Sequence, residues 1–244
     1  MEPAQNMTPN QPMNVFSRIV NIFISPAETF QTLAVKPDWI TPLILTLAVF
    51  LTVGILMKDV IQKEQEKAVR EKIMTMSEIA DSQKEQVAEM QVGMMKKFWF
   101  VGVAIGLVVI GGVFFLGGLF LRLGANKFLG GSVSYPVVLS VLGYSRLIEI
   151  LATLVKLPAM ITKNTMRVDT GLGILVPDAS ITSMSYTLLS KIDLFTAWQL
   201  VVLIIGVSVI YKSARIKSAM LVIGLWLLWI LAQTGLAAIG LKFG

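Results

Sequence analysis

"ITPLILTLAVFLTVGILM", residues 40 to 57, contains no charged side chain, and Lys58 is the first charge to follow it. A helix needs about 20 apolar residues, and at least ~17, to cross ~30 Å of hydrocarbon. Residues 40–57 meet that length, and four later runs repeat the pattern at about 98–121, 136–157, 194–211 and 219–241. The second is rich in glycine, and the third is the least apolar, containing Arg146 and Glu149. Lipid cannot satisfy an open backbone, and no alternating ten-residue strand pattern suggests a barrel, so the runs must be helices. The expected fold is all-α: an integral membrane bundle of five transmembrane helices.

Composition agrees. Of 244 residues, 55% are hydrophobic and 15% charged, with mean hydropathy +0.74, where soluble domains carry about 25% charged residues. The net charge is +6, but the basic residues are dispersed between apolar runs. No basic stripe interleaved with aromatics appears, so a nucleic-acid partner is not expected and the cations suit juxtamembrane anchoring. There is no Cys and no His, which removes disulfides, thiolate and imidazole ligands and the commonest nucleophile–base pairs. No paired carboxylates lie in the apolar runs. The chain is therefore expected to be no enzyme and to need no cofactor or metal.

Upstream of the first run, residues 1–13 lack a basic start and an apolar core, so a short disordered tail is expected rather than a signal peptide. Residues 14–38 are expected to form interfacial amphipathic helices. "NVFSRIVNIF" carries apolar residues on a broad face, and "SPAETFQTLAVKPDW" opens with a capping box of Ser25 and Glu28 around Pro26. Pro37 disfavours helix at Lys36. Phe16, Phe23, Lys36 and Trp39 are the expected membrane-interface anchors. The segment forms a helical collar that lies in the headgroup plane and turns upright at "KPDWITP".

Residues 39–244 form the membrane domain, with 58–97 as a helical insertion after the first span. That insertion holds Val69, Ile73, Met76, Ala80, Gln83, Val87, Met90 and Met94 in 4-3-4-3 spacing, a thin apolar stripe. It predicts either a partner-binding helix or a helical hairpin whose second arm is capped by "SQKE" at Ser82–Glu85. Residues 160–193 are too broken by Gly171, Gly173 and Pro177 to span. They predict a re-entrant piece or a plain loop. Lys212, Arg215 and Lys217 place the 211–218 loop in the cytoplasm. With five spans, the N-terminus is then cytoplasmic and the C-terminus extracytoplasmic, in the cell membrane. The eight Lys and Arg of segment 58–97 oppose that orientation.

The stretch "FSRIVNIFISPAETFQTLAVKPDWITPLIL", residues 16–45, resembles the start of the bacterial branch of the Yip family, named after Rab/Ypt-interacting proteins. "NKFLGGSVSYPVVLSVLGYS" at 126–145, "LSKIDLFTAWQLVVLIIGVSVI" at 189–210 and the five-span layout extend the resemblance over nearly the whole chain. In the third span, "SRLIE" departs from the more neutral stretch such proteins carry. The resemblance implies a cytoplasmic N-terminal region, five spans and a role in membrane organisation. Its eukaryotic members are linked to Rab GTPases and vesicle trafficking. It supplies no catalytic residues.

Arg146 and Glu149 sit three residues apart, on one face of the third span. A lone charge there costs at least ~2.5–3.5 kcal/mol, so the pair predicts one of two things. It is either an ion or proton pathway, or an intrahelical pair facing the interior with Tyr144 and Gln233 joining it. Asp193 is expected to cap the fourth span, with Lys191 as its partner. Gly102 and Gly106 predict close helix packing. The function expected is that of a non-enzymatic multi-pass protein organising or scaffolding membrane components. The alternative is a transporter or channel subunit built on Arg146 and Glu149. Expected partners are the bilayer and either other membrane proteins or further copies of the chain.

Overall fold

The computed structural model describes residues 13–176 and 184–243; the tail expected over residues 1–13 lies almost wholly outside them. The described residues form helices α1 (Val15–Ile24), α2 (Pro26–Val35), α3 (Ile40–Leu56), α4 (Lys58–Thr75) and α5 (Asp81–Lys97). These are followed by α6 (Trp99–Phe128), α7 (Tyr135–Lys163), α8 (Met184–Leu189), α9 (Leu194–Ile210) and α10 (Arg215–Phe243), with a single 3₁₀ turn at Leu172–Leu175.

Each break has a local cause. Asn14 opens α1 by accepting the Ser17 N–H at 2.8 Å. Pro26 disfavours helix at Ser25 and starts α2 at its first position, and the Ser25 side chain makes no cap hydrogen bond there. The expected capping box is thus replaced by proline alone. Pro37 ends α2, and the chain bends by 120° into α3. Asn164, left-handed at φ 51°, closes α7.

Among the described residues three helices are long and apolar enough to cross a membrane, α6, α7 and residues Arg215–Gln233 of α10, and the bent pair α2 and α3 would make a fourth if it counts as one span. The other two runs expected to span are α3 and α9, apolar helices of 17 residues each. Lys58 follows α3 after a single residue, and α9 is stopped by the turn at Lys212, left-handed at φ 49°.

The insertion is a hairpin of α4 and α5. Its reversal at 76–80 interrupts the apolar stripe, so Ile73 is buried but Met90 and Met94 are exposed. The second arm instead buries Ala88 and Val92. Nor does "SQKE" cap that arm: α5 begins at Asp81, which pairs with Lys84 at 2.7 Å within the first turn.

Helix α7 is the axis of the bundle, with α1, α2, α3, α6 and α9 all packed on it. Two-thirds of its most apolar stretch (67%) is buried, against 6% for α6 and 17% for Arg215–Gln233 of α10, so these two stretches show most of their surface outward. Val138, Val141, Tyr144 and Ile148 of α7 meet Val202 and Val207 of α9 and Phe30 and Leu33 of α2 in one core. Gly206 makes this three-way contact possible: a Cβ there would lie 2.5 Å from Val141 Cγ1 and 2.9 Å from the Phe30 ring. The glycines of α6 do not act as one seam. Gly102 faces open space, whereas Gly106 lies against Phe50.

Gly206→Ala therefore overpacks the core and should cost ~1–3 kcal/mol. Gly111→Ala, with nothing within 4 Å of the added carbon, should be neutral or gain up to ~1 kcal/mol from helix propensity. Thermal unfolding of both variants in detergent, followed by far-UV circular dichroism, checks the pair.

Candidate functional site

The polar centre of the described residues sits at the elbow between α2 and α3. Residues 36–38 are held out of the helix by Pro37, which leaves the Asp38 side chain free to reach forward and back. Its Oδ1 accepts the Thr41 N–H at 3.2 Å and so caps α3. Its Oδ2 accepts the Tyr144 hydroxyl at 2.7 Å and the Arg18 guanidinium at 3.2 Å. The Asp38 backbone N–H donates to Ser140 Oγ at 2.8 Å, and that hydroxyl donates to the Pro136 carbonyl. Arg18, 5% exposed, also donates through Nε to the Met13 carbonyl at 3.0 Å. One carboxylate thereby ties together α1, the foot of α3 and the first turns of α7.

Burial pushes the Asp38 carboxyl up, but the hydrogen bonds from Tyr144 and Thr41 and the charge of Arg18 more than offset it. The group ends below the usual carboxylate range. A lowered folded-state value stabilises the fold above the unfolded carboxylate range, near pH 4, and that share is lost as pH falls through the folded value.

A second polar centre lies at the opposite end of α7 and repeats the first. Asp193 Oδ1 accepts the Thr196 N–H at 2.7 Å and caps α9. Its Oδ2 accepts Lys156 of α7 at 3.0 Å and the Thr170 hydroxyl at 3.1 Å. Burial again raises the carboxyl and is again outweighed, here by Thr196 and Lys156. The expected partner Lys191 is displaced by Lys156, because the chain crosses at Gly171 against Asp193 and brings the end of α7 alongside. Both apolar 17-residue helices thus start with the same device, Asp-x-x-Thr with a cation from another helix. Nearby, Glu64 of α4 accepts the Thr165 hydroxyl and the Met166 N–H, tying the hairpin to the loop after α7. Arg167, Asp169 and Tyr186 tie that loop to α8.

A family model for the Yip1 domain matches residues 20–237. The chain belongs to the Yip1 domain family. No curated protein and no solved structure matches it. Both polar centres of this Yip1-family chain fall in the matched region except Arg18, which precedes it by two residues. The family is not one of known enzymes. Among the described residues no group of three or more acidic side chains could hold a metal ion.

The residues singled out from the sequence are dispersed. Tyr144 points to Asp38, not to Arg146. Arg146 is half-buried, its guanidinium 5.9 Å from the Phe114 ring centroid, and Glu149 is exposed. The intrahelical pair that their spacing suggested does not form. Neither makes an ion pair among the described residues. Gln233 sits on α10, which leans on α6 and α9, and its side chain joins no hydrogen bond among those residues. Of the four expected anchors, Phe16 is 75% exposed and Lys36 is exposed. The other two turn inward: Phe23 packs edge-on to Trp198 at 5.8 Å, and Trp39 to Phe115 at 5.6 Å.

Sequence reasoning missed Arg18 and Asp38. The usable signals were a cation at position 18 on the same face as Ile22, and an aspartate three residues before Thr41. Asp38→Ala strands the buried Arg18 charge and should cost ~3–5 kcal/mol, with faster tryptic cleavage between residues 14 and 36. Wild-type stability should fall as the medium is taken from pH 5 toward pH 3. Asp38→Asn should show a shallower fall that retains the Asp193 share. Unfolding midpoints across that range are the measurement.

Proposed function

We propose that this Yip1-family protein is a non-enzymatic organiser of membrane components, built as five spans with an N-terminal collar at the cytoplasmic interface. Helices α3 and α9 cross as the two shortest spans, each of 17 residues, a length within the lower range for a spanning helix. The observation that carries the organiser reading is the outward display of α6 and α10. Among the described residues most of the apolar surface of α6 and of Arg215–Gln233 in α10 is turned outward, while the central α7 is packed from most sides. Long apolar faces of that kind serve lipids and neighbouring membrane helices.

The transporter alternative asks for a route to Arg146. Two surface depressions among the described residues do not include it. One is lined by Asp59, Glu66 and Lys96, the other by Lys163, Arg167 and Asp169.

Orientation is proposed on charge. Tyr211, at the end of α9, donates to Asn126 in the last turn of α6 at 2.7 Å, which brings the ends of these two helices together on one side. Arg122, Lys127, Lys212, Arg215 and Lys217 gather there with no acidic residue in the loop after either helix, the pattern of a cytoplasmic face. The basic hairpin that opposed this orientation holds many of its cations in ion pairs, Arg70 with Glu66 and Glu85, and Lys96 with Glu66.

The collar contributes an interfacial face. With Arg18 and Ile22 turned inward, Phe16, Val20 and Ile24 form an exposed stripe at i, i+4, i+8, flanked by exposed Val35 and Lys36. A fluorophore on Phe16→Cys, in a chain without native cysteine, should be quenched by brominated lipids. An unquenched probe at a well-folded protein would sink the collar. Crosslinking in native membranes should capture a reproducible set of membrane proteins or lipids. The organiser reading fails if none is captured and Glu149→Gln instead alters proton or solute flux in proteoliposomes.

A further inference from the structure

Helix α7 carries its own depth gauge. Ser140 is bonded to Asp38 at the foot of α3, and Lys156 is bonded to Asp193 at the start of α9, so these residues mark the two ends of the apolar layer. They are sixteen positions apart, about 24 Å along the axis. Glu149 lies nine positions from one and seven from the other, close to the midplane. From Val137 to Ile148 every residue of α7 except Arg146 is buried, and Glu149 is exposed. The helix thus leaves the shelter of the bundle at its two charges. A carboxylate left open to hydrocarbon at that depth is costly, so something must cover it. Arg146 does not, since its guanidinium is drawn over the Phe114 ring.

We propose that a second copy of the chain covers this face, with Arg146 of each copy reaching Glu149 of the other. The inference rests on the reading of the protein as a membrane-embedded organiser. Its basis is self-complementarity: one cation and one anion share a face, so a two-fold axis along the membrane normal makes two reciprocal bridges. The axial offset between the two residues is about 4.5 Å, within the reach of an arginine side chain. Thr153, Leu157 and Met160 continue the face below Glu149 at helical spacing and are all only half-buried, as a shared seam requires. The Thr153 hydroxyl is spent on the Glu149 carbonyl at 2.9 Å, which keeps that seam free of competing polar groups.

Paired charge reversals test this. Arg146→Glu makes the face wholly acidic and Glu149→Arg makes it wholly basic. Each variant alone should be monomeric by single-molecule photobleaching in liposomes, while the two co-expressed with different tags should co-purify at wild-type yield. An intrahelical pair would be lost in both variants and could not be restored by mixing. Should the reversals fail to insert, Thr153→Cys in an otherwise wild-type chain gives an independent reading: oxidation in membranes should produce a disulfide-linked dimer. Arg146→Gln in that background should lower its yield at least tenfold. A monomeric wild type, or reversal variants that self-associate as well as wild type, overturns the proposal. If a monomeric protein still captures other membrane proteins, the pairing falls and the organiser reading stands. If dimers capture nothing, the reverse holds.

Discussion

A carboxylate set among apolar helices must be satisfied by the protein itself, and Asp38 shows how much structure follows. Its oxygens take a hydroxyl, a guanidinium and a backbone N–H, and its own N–H is given to a serine. These donors and acceptors come from three helices. Losing any of them leaves charge without compensation in a poorly hydrated place, so the joint holds together or not at all. It sets where α3 begins and how the collar lies on α7 and α9. The same commitment decides which side of α1 remains outward: with Arg18 pinned, the Phe16–Val20–Ile24 stripe is left exposed among the described residues.

The second carboxylate makes the arrangement into a frame. Asp193 caps α9 from the far end of α7 as Asp38 caps α3 from the near end, and each is balanced by a cation from another helix. Helix α7 is the strut between the two joints, which is why it is the most enclosed of the long helices. The outer helices need no such burial, because acyl chains solvate leucine and phenylalanine as well as a protein core does. Exposure of α6 and α10 is therefore the expected consequence of a lipid solvent. Exposure of Glu149 is not, and it stands out for that reason alone.

Membership of the Yip1 family fits a molecule whose polar residues are spent on joints. The best-enclosed charged groups, Arg18 and Asp193, and with them Asp38, are consumed in holding helices together.

Much of this was legible without coordinates. The uncharged runs had to be helices, Pro26 and Pro37 had to break the collar, and Asp193 had to cap α9, because each follows from local chemistry within a few residues. The hairpin, too, was open from helix-favouring composition, though its turn broke the apolar stripe that had looked continuous. What periodicity could not reach were partnerships across long separations: Arg18 with Asp38 over 20 residues, Asp38 with Tyr144 over 106, Lys156 with Asp193 over 37. Arg146 and Glu149 went the other way, since spacing put them on one face but a tertiary neighbour, Phe114, drew the guanidinium off. Local sequence determines which segments are helical and apolar, because backbone and side chain decide that over a few turns. Which charges meet is decided only when the helices pack, because an ion pair depends on distances that the linear order does not contain.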